Sequence, residues 1–219
     1  MSITFYGHPF SAYCKKVLIA FYEHDLAYEL RQIDFEGSSA LDEFSEIWPI
    51  KRMPVIVDQG RPVIESSIII EHIDQHYHRD VRLVPQDSQS ALESRFMDRF
   101  FDNYISTPQM TVVFDVLRDQ QDRDAYGVAK AKELLETSYE WLDTKMADRT
   151  WAIGDDFSMA DCAAGPALFY AHWTHPIDPK FGHIHAYRNR LMVRPSFARC
   201  IEEARPYRHL FPLGAPEAD

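Results

Sequence analysis

The sequence predicts an α/β first part of order βαβ-α-ββα, followed by an all-helical second part. Three observations predict it. Residues 1–78 alternate short apolar runs of strand type with helical pieces. The stretch "RDVRLVPQDSQS" that follows is polar and carries a proline, the composition of a connection. From Ser90 onward the apolar spacing is helical and no convincing strand occurs.

"ITFYG" opens the chain as a strand. The segment from about Ser11 to His24 reads as a helix whose apolar side carries Val17, Leu18, Ala20 and Phe21. "AYELRQID" is a second strand, and a short helix surrounds Leu41–Ile47. "MPVIVDQGRPVIES" reads as a hairpin turning at Gln59-Gly60, and "SSIIIEHIDQHYH" as the helix that closes this part. The order predicts a small mixed sheet with helices on both faces. In the second part a long helix is expected over about Ala91–Asp119, with a bend at Pro108, which lacks a backbone donor and crowds the preceding turn. Further helices are expected over about Arg123–Ala147, from Ser158, and near Phe181–Leu191 and Pro195–Glu203.

The 219 residues suffice for a sizeable core, and 46% hydrophobic residues with only 8 glycines indicate an ordered globular chain. A formal net charge of −11 speaks against nucleic-acid binding, and any anionic ligand needs a local positive pocket. Cys14, Cys162 and Cys200 are too scattered for a disulfide framework and suit a reducing compartment. No signal peptide is read in "MSITFYGHPF", and no run approaches the roughly 20 apolar residues of a membrane span. The expectation is a soluble cytoplasmic protein without membrane or nucleic-acid partners.

The stretch "GHPFSAYCKKVLIA" places Ser11 where a redox Cys-x-x-Cys loop would hold its first cysteine, with Cys14 as the second. Directly before a helix, a serine is first an N-cap. In a strand–loop–helix setting it also stands where a helix N-terminus stabilises an anion. No His-Asp pair is in view to make Ser11 a hydrolytic nucleophile, and His8, followed by Pro9, reads as a loop residue. Pro54 is either an ordinary first residue of a strand or the second half of a cis Met53–Pro54 bond. The cis form would leave the Met53 main chain free to pair with a peptide-like ligand. Glu65 and Ser66 are either helix-capping residues or a pair that holds a zwitterionic head group.

On these stretches the chain resembles the glutathione S-transferase family over nearly its whole length. "GHPFSAYCKKVLIA" is similar to the family's serine-type first loop and helix, nearest its phi-like pattern. "WPIKRMPVIVDQGRPVIESSIIIEHIDQHY" resembles the segment that carries the cis-proline and the Glu-Ser pair. "GDDFSMAD" matches the family's Ser/Thr-x-x-Asp capping box. The resemblance implies a thioredoxin-like, glutathione-binding domain over residues 1–79, a linker at about 80–89 and an all-helical domain over 90–219. It implies a homodimer that conjugates glutathione, as co-substrate and with no metal, to a small electrophile in detoxification.

Carried over position by position, Ser11 holds the glutathione sulfur, the Met53 main chain beside Pro54 pairs with the cysteinyl unit, and Glu65 with Ser66 holds the γ-glutamyl end. Lys51-Arg52 and Trp48 depart from the family's usual residues. Arg52, with Lys51 as second choice, is the candidate for the glycyl carboxylate, the alternative for both being simple solvation. Phe10, Tyr104 and Phe114 are candidates for the second-substrate wall, although aromatic residues at helical spacing also suit a core. Ser158 and Asp161 form a structural capping box. Two rival readings stand beside this one: a non-catalytic binding or interaction protein of the same fold, and a thiol oxidoreductase using Cys14.

The energetics favour a serine. A thiol of pKa about 8.5 is roughly 3% thiolate at pH 7, and lowering that pKa by two units takes about 2.7 kcal/mol. A hydrogen bond to a charged group supplies about 1.5–3 kcal/mol, and a helix N-terminus about 0.3–1 kcal/mol. One hydroxyl and one helix end therefore suffice to activate a bound thiol.

Overall fold

A computed structural model describes residues 3–34, 39–79 and 82–217. Strand β1 (Ile3–Gly7) lies parallel to β2 (Tyr28–Gln32), the two joined by helix α1 (Ala12–Glu23). Helix α2 (Ser39–Ile47) leads to the hairpin β3 (Val55–Asp58) and β4 (Arg61–Ile64), and α3 (Ser66–Tyr77) follows. The sheet order is β2-β1-β3-β4, with β3 antiparallel to both its neighbours. Gln59 and Gly60, at φ of 51° and 78°, make the hairpin turn with two left-handed residues.

Alternation along β1 assigns its two faces. Phe5 joins the main core with α1 and α3, while the next residue, Tyr6, packs into a small second core with Ile33, Ala40, Phe44 and Val55 beneath α2. Helices cover both faces of the sheet, as the sequence predicts.

The second part consists of α4 (Ser88–Phe100), a π-helical turn (Phe101–Ser106), α5 (Thr107–Val116), α6 (Ala125–Lys145), α7 (Met159–Thr174), α8 (Gly182–Val193) and α9 (Pro195–Ala204). Asp87 caps α4 by accepting from the Ser90 amide at 2.8 Å, so this helix opens just ahead of Ser90. Of the expected linker, residues 80 and 81 lie outside the described residues. Beyond them Leu83 is fully buried, with its amide on Asp74 Oδ1 at 2.6 Å and its carbonyl taking the Met159 amide at 2.8 Å. The irregularity expected at Pro108 lies ahead of it: the π turn ends at Ser106, and Pro108 falls in the first turn of α5, where a missing donor costs nothing.

The capping box forms at the start of α7. Ser158 Oγ accepts from the Ala160 amide at 3.3 Å, and Asp161 Oδ2 accepts from the Ser158 amide at 2.9 Å. Asp161 also takes the Ala152 amide and the Tyr187 hydroxyl, at 2.8 and 2.6 Å. Among the described residues no helix is long and apolar enough to cross a membrane.

Helix α1 is the pivot between the two parts. The periodicity predicts one apolar side, but every residue from Cys14 to Phe21 is buried, Lys15 and Lys16 included. The reason is enclosure: α3 packs on one side of α1, and α7 and α9 on the other.

Candidate active site

Ser11 caps α1 in extended geometry, φ −74° and ψ 130°, with Oγ accepting from the Cys14 amide at 3.4 Å. Its own amide donates to the His8 carbonyl and its carbonyl takes the Lys15 amide, both at 3.0 Å. A hydroxyl has one hydrogen and two lone pairs. The cap uses a lone pair, so the hydrogen can donate, either to the neighbouring Cys14 sulfur or to a ligand. The first turn of α1 carries no acidic residue to oppose an anion there.

Half-buried Ser11 stands in a cavity of about 1180 Å³ between the two parts. The same cavity is lined by Lys51, Arg52, Met53 and Pro54 from the loop before β3, and by Glu65 and Ser66 where α3 begins. The Met53–Pro54 bond is cis. The β1–β3 ladder starts at Val55, so Met53 precedes the paired region. Glu65 has φ 75° and ψ 123°, an uncommon conformation for a side-chain-bearing residue and one that recurs at binding sites. Lys51 and Arg52 are exposed and give this rim of an acidic chain a local positive charge.

Of the three aromatic candidates for the second-substrate wall, Phe10 and Phe114 line the cavity. Tyr104 is not among its lining residues: its ring packs on Phe100, at 5.7 Å between centroids, on an exposed face. The expectation for Tyr104 is corrected, because the π turn alters the helical phase along this segment.

Neighbouring titratable groups leave the Ser11 hydroxyl without a base. His8 is buried, its pKa lowered chiefly by that burial, and its Nδ1 accepts from the Phe10 amide at 3.1 Å. Burial also pushes the Tyr13 phenol up to about 12, Asp102 adding to the rise. The Cys14 thiol is fully buried and held at about 11, burial outweighing the Ser11 and His8 hydrogen bonds that favour the thiolate. A thiol so placed is a poor nucleophile. Among the described residues no cluster of three or more His, Cys, Asp or Glu side chains is arranged to hold a metal ion.

Several lining residues carry no mark in the sequence. Arg99, Asp102, Gln109, Met110 and Leu117 come from the segment around the π turn, Tyr170 from α7, and Tyr207 and Phe211 from the chain beyond α9. Asp102 is tied to buried Lys16 at 2.8 Å, and Lys16 reaches Asp98 at 2.7 Å and the Ser67 hydroxyl at 2.9 Å. Burial raises the Asp102 pKa against the pull of Lys16. In sequence these are ordinary helix-surface charges, and only the reach of Lys16 from α1 to α4 and the π turn reveals them.

Residues 5–80 match the family description "Glutathione S-transferase, N-terminal domain", and residues 105–195 match "Glutathione S-transferase, C-terminal domain". A relative described as glutathione S-transferase U7, from Arabidopsis thaliana, is 27% identical over 205 residues, 90% of this chain and 84% of its own. A crystal structure of a glutathione S-transferase from Methylobacillus flagellatus with GSH bound shares the fold. Its TM-score is 0.84 at 21% identity, covering 91% of this chain and 98% of its own. A Methylobacterium radiotolerans glutathione S-transferase in complex with glutathione sulfonate aligns with TM-score 0.79 and 26% identity, over 92% of this chain and 95% of its own.

Proposed function

The chain belongs to the glutathione S-transferase family, and from that premise we propose that it is a glutathione transferase whose Ser11 hydroxyl holds the substrate's thiolate at the N-terminus of α1. The observation that carries this reading is the Ser11 cap itself. Its oxygen accepts from the helix, which lets its hydrogen turn to a ligand, within the cavity that also collects Met53, Glu65 and Ser66. Two structural relatives described with GSH and with glutathione sulfonate support glutathione as the co-substrate.

Glu65 offers a carboxylate to the γ-glutamyl ammonium, and the Ser66 hydroxyl with the first amides of α3 receives the γ-glutamyl carboxylate. The Met53 main chain pairs with the cysteinyl unit. Arg52, then Lys51, meets the glycyl carboxylate. The bound thiol releases its proton to water, and its sulfur forms a bond to the electrophilic carbon. The electron pair of the bond broken there departs with the leaving group or moves into the acceptor. Phe10 and Phe114 offer the apolar wall for that second substrate.

The same reading includes a cytoplasmic role in detoxification and a homodimer. An exposed aromatic face supports the dimer: Phe96, Tyr104 and Trp141 are 49%, 45% and 39% exposed and are linked through Phe100 and one another. The fully buried Cys14 disfavours the thiol oxidoreductase reading.

The test follows the ultraviolet absorbance of glutathione thiolate on the protein across pH, together with conjugation of a panel of aryl halides, enones and hydroperoxides. The expected results are a bound-thiol pKa well below that of free glutathione and turnover of at least one electrophile. Binding with an unshifted pKa and no turnover would leave the non-catalytic reading.

A further inference from the structure

One side chain of the helical part reaches the junction that carries Ser11. Tyr170, on α7, is 5% exposed and lines the cavity. Its hydroxyl donates to the Phe10 carbonyl at 2.6 Å and accepts from Lys15 Nζ at 2.7 Å. Phe10 immediately precedes Ser11. Lys15 lies one turn beyond it and donates its amide to the Ser11 carbonyl at 3.0 Å. An ammonium only donates hydrogen bonds, so its contact directs the hydroxyl's hydrogen at the carbonyl.

Packing holds the same arrangement. Lys15 is 1% exposed, and its ammonium stands 4.4, 4.9 and 5.6 Å from the ring centroids of Tyr170, Phe169 and Phe10. The Phe10 ring meets the Tyr170 ring edge-on at 5.4 Å, and Tyr170 stacks on Phe211 at 6.1 Å.

We propose that Tyr170 is a positioning residue for the thiol site: by bonding the chain on both sides of Ser11, its hydroxyl fixes where the serine side chain points. The inference rests on the reading of Ser11 as the thiolate's partner. The physical argument is one of orientation. A hydrogen bond to sulfur weakens steeply as its angle departs from linear. The peptide between Phe10 and Ser11 sets the direction of the Ser11 Cα–Cβ bond. With that peptide bonded only locally, through the Ser11 amide to His8, the loop can rotate relative to α1. The Tyr170 bond removes that freedom, and it does so from α7, in the other part of the chain.

Tyr170→Phe removes the hydroxyl and keeps every ring contact. The expected result is a rise of about one unit in the pKa of bound glutathione, and hence about a tenfold loss of conjugation below that pKa. Affinity for glutathione should hold, and conjugation should recover at alkaline pH. In a Ser11→Ala background the same change should add almost nothing. Lys15→Met, which keeps the unbranched stem but removes the donor that orients the hydroxyl, should move the pKa in the same direction by less. Either variant that folds carries the test. A loss of thermal stability with the bound-thiol pKa unmoved would overturn the proposal and leave Tyr170 a packing residue. If Ser11→Ala itself leaves the pKa unmoved, the underlying reading of Ser11 fails instead.

Discussion

Ser11→Ala removes a single hydroxyl and leaves the helix end that it caps. The hydroxyl's bond to a charged sulfur is worth about 1.5–3 kcal/mol. At 1.36 kcal/mol per unit, losing it raises the bound thiol's pKa by about 1.1–2.2 units. Below the parent's apparent pKa the thiolate fraction, and with it kcat/KM, should fall roughly 13- to 160-fold. The helix N-terminus still contributes about 0.3–1 kcal/mol, so the thiol should not return fully to its solution value. The cap itself is lost too, but its 3.4 Å bond to the Cys14 amide is long, which puts that loss near the low end, about 0.5 kcal/mol. The assay is kcat/KM against pH with a chromogenic aryl halide, beside calorimetric glutathione binding. The expected profile moves one to two units to the alkaline side and regains its plateau there, with binding little changed. Identical apparent pKa values in the two proteins would refute the argument, whatever the loss in rate.

Three further outcomes follow from the same structure. Cys14→Ala should leave conjugation intact, because that thiol is fully buried and held at about 11; complete loss of all activity would restore the oxidoreductase reading. Lys16→Met should cost about 3–5 kcal/mol in urea unfolding, since it leaves buried Asp98 without its cation and Asp102 with Arg99 alone; adding Asp98→Asn should recover part of that loss. His172 is held at about 4, chiefly by burial, and its Nδ1 accepts from the Ile177 amide. A folded-state value below the unfolded one means that stability is complete above about pH 6.5 and lost as pH falls toward 4. Burial lowers His8 and His24 in the same direction. His172→Gln should therefore flatten, without abolishing, the fall in unfolding free energy between pH 7 and 4.5, and an unchanged slope would count against it.

The sequence makes legible what depends on neighbours along the chain. The short apolar run "ITFYG" reports a strand, Gln59-Gly60 reports a turn, and the spacing of Ser158 and Asp161 reports a cap. Ser11, Met53 and Glu65 are legible for the same reason, each standing at a strand or helix boundary. What depends on enclosure is not legible. Nothing along the chain marks Lys15 and Lys16 as buried, yet α1 is wrapped by α3, α7 and α9.

Tyr104 and Phe114 show how a single irregular turn separates two residues that the sequence groups together. Each residue advances an α-helix by about 100°. In the unbroken helix expected over Ala91–Asp119, positions 104 and 114 would lie about 80° apart, on one side. A π turn accommodates one extra residue, so the effective separation shortens by up to one step and the two positions move further apart, toward about 180°. The π turn spans Phe101–Ser106. Downstream of it Met110, Phe114 and Leu117 line the cavity, and Asp102 within it reaches both the cavity and Lys16. Tyr104 is left on the exposed face with Phe96 and Trp141. One added residue thus decides which aromatic side chains wall the site and which face outward, and no apolar periodicity on either side of the turn records it.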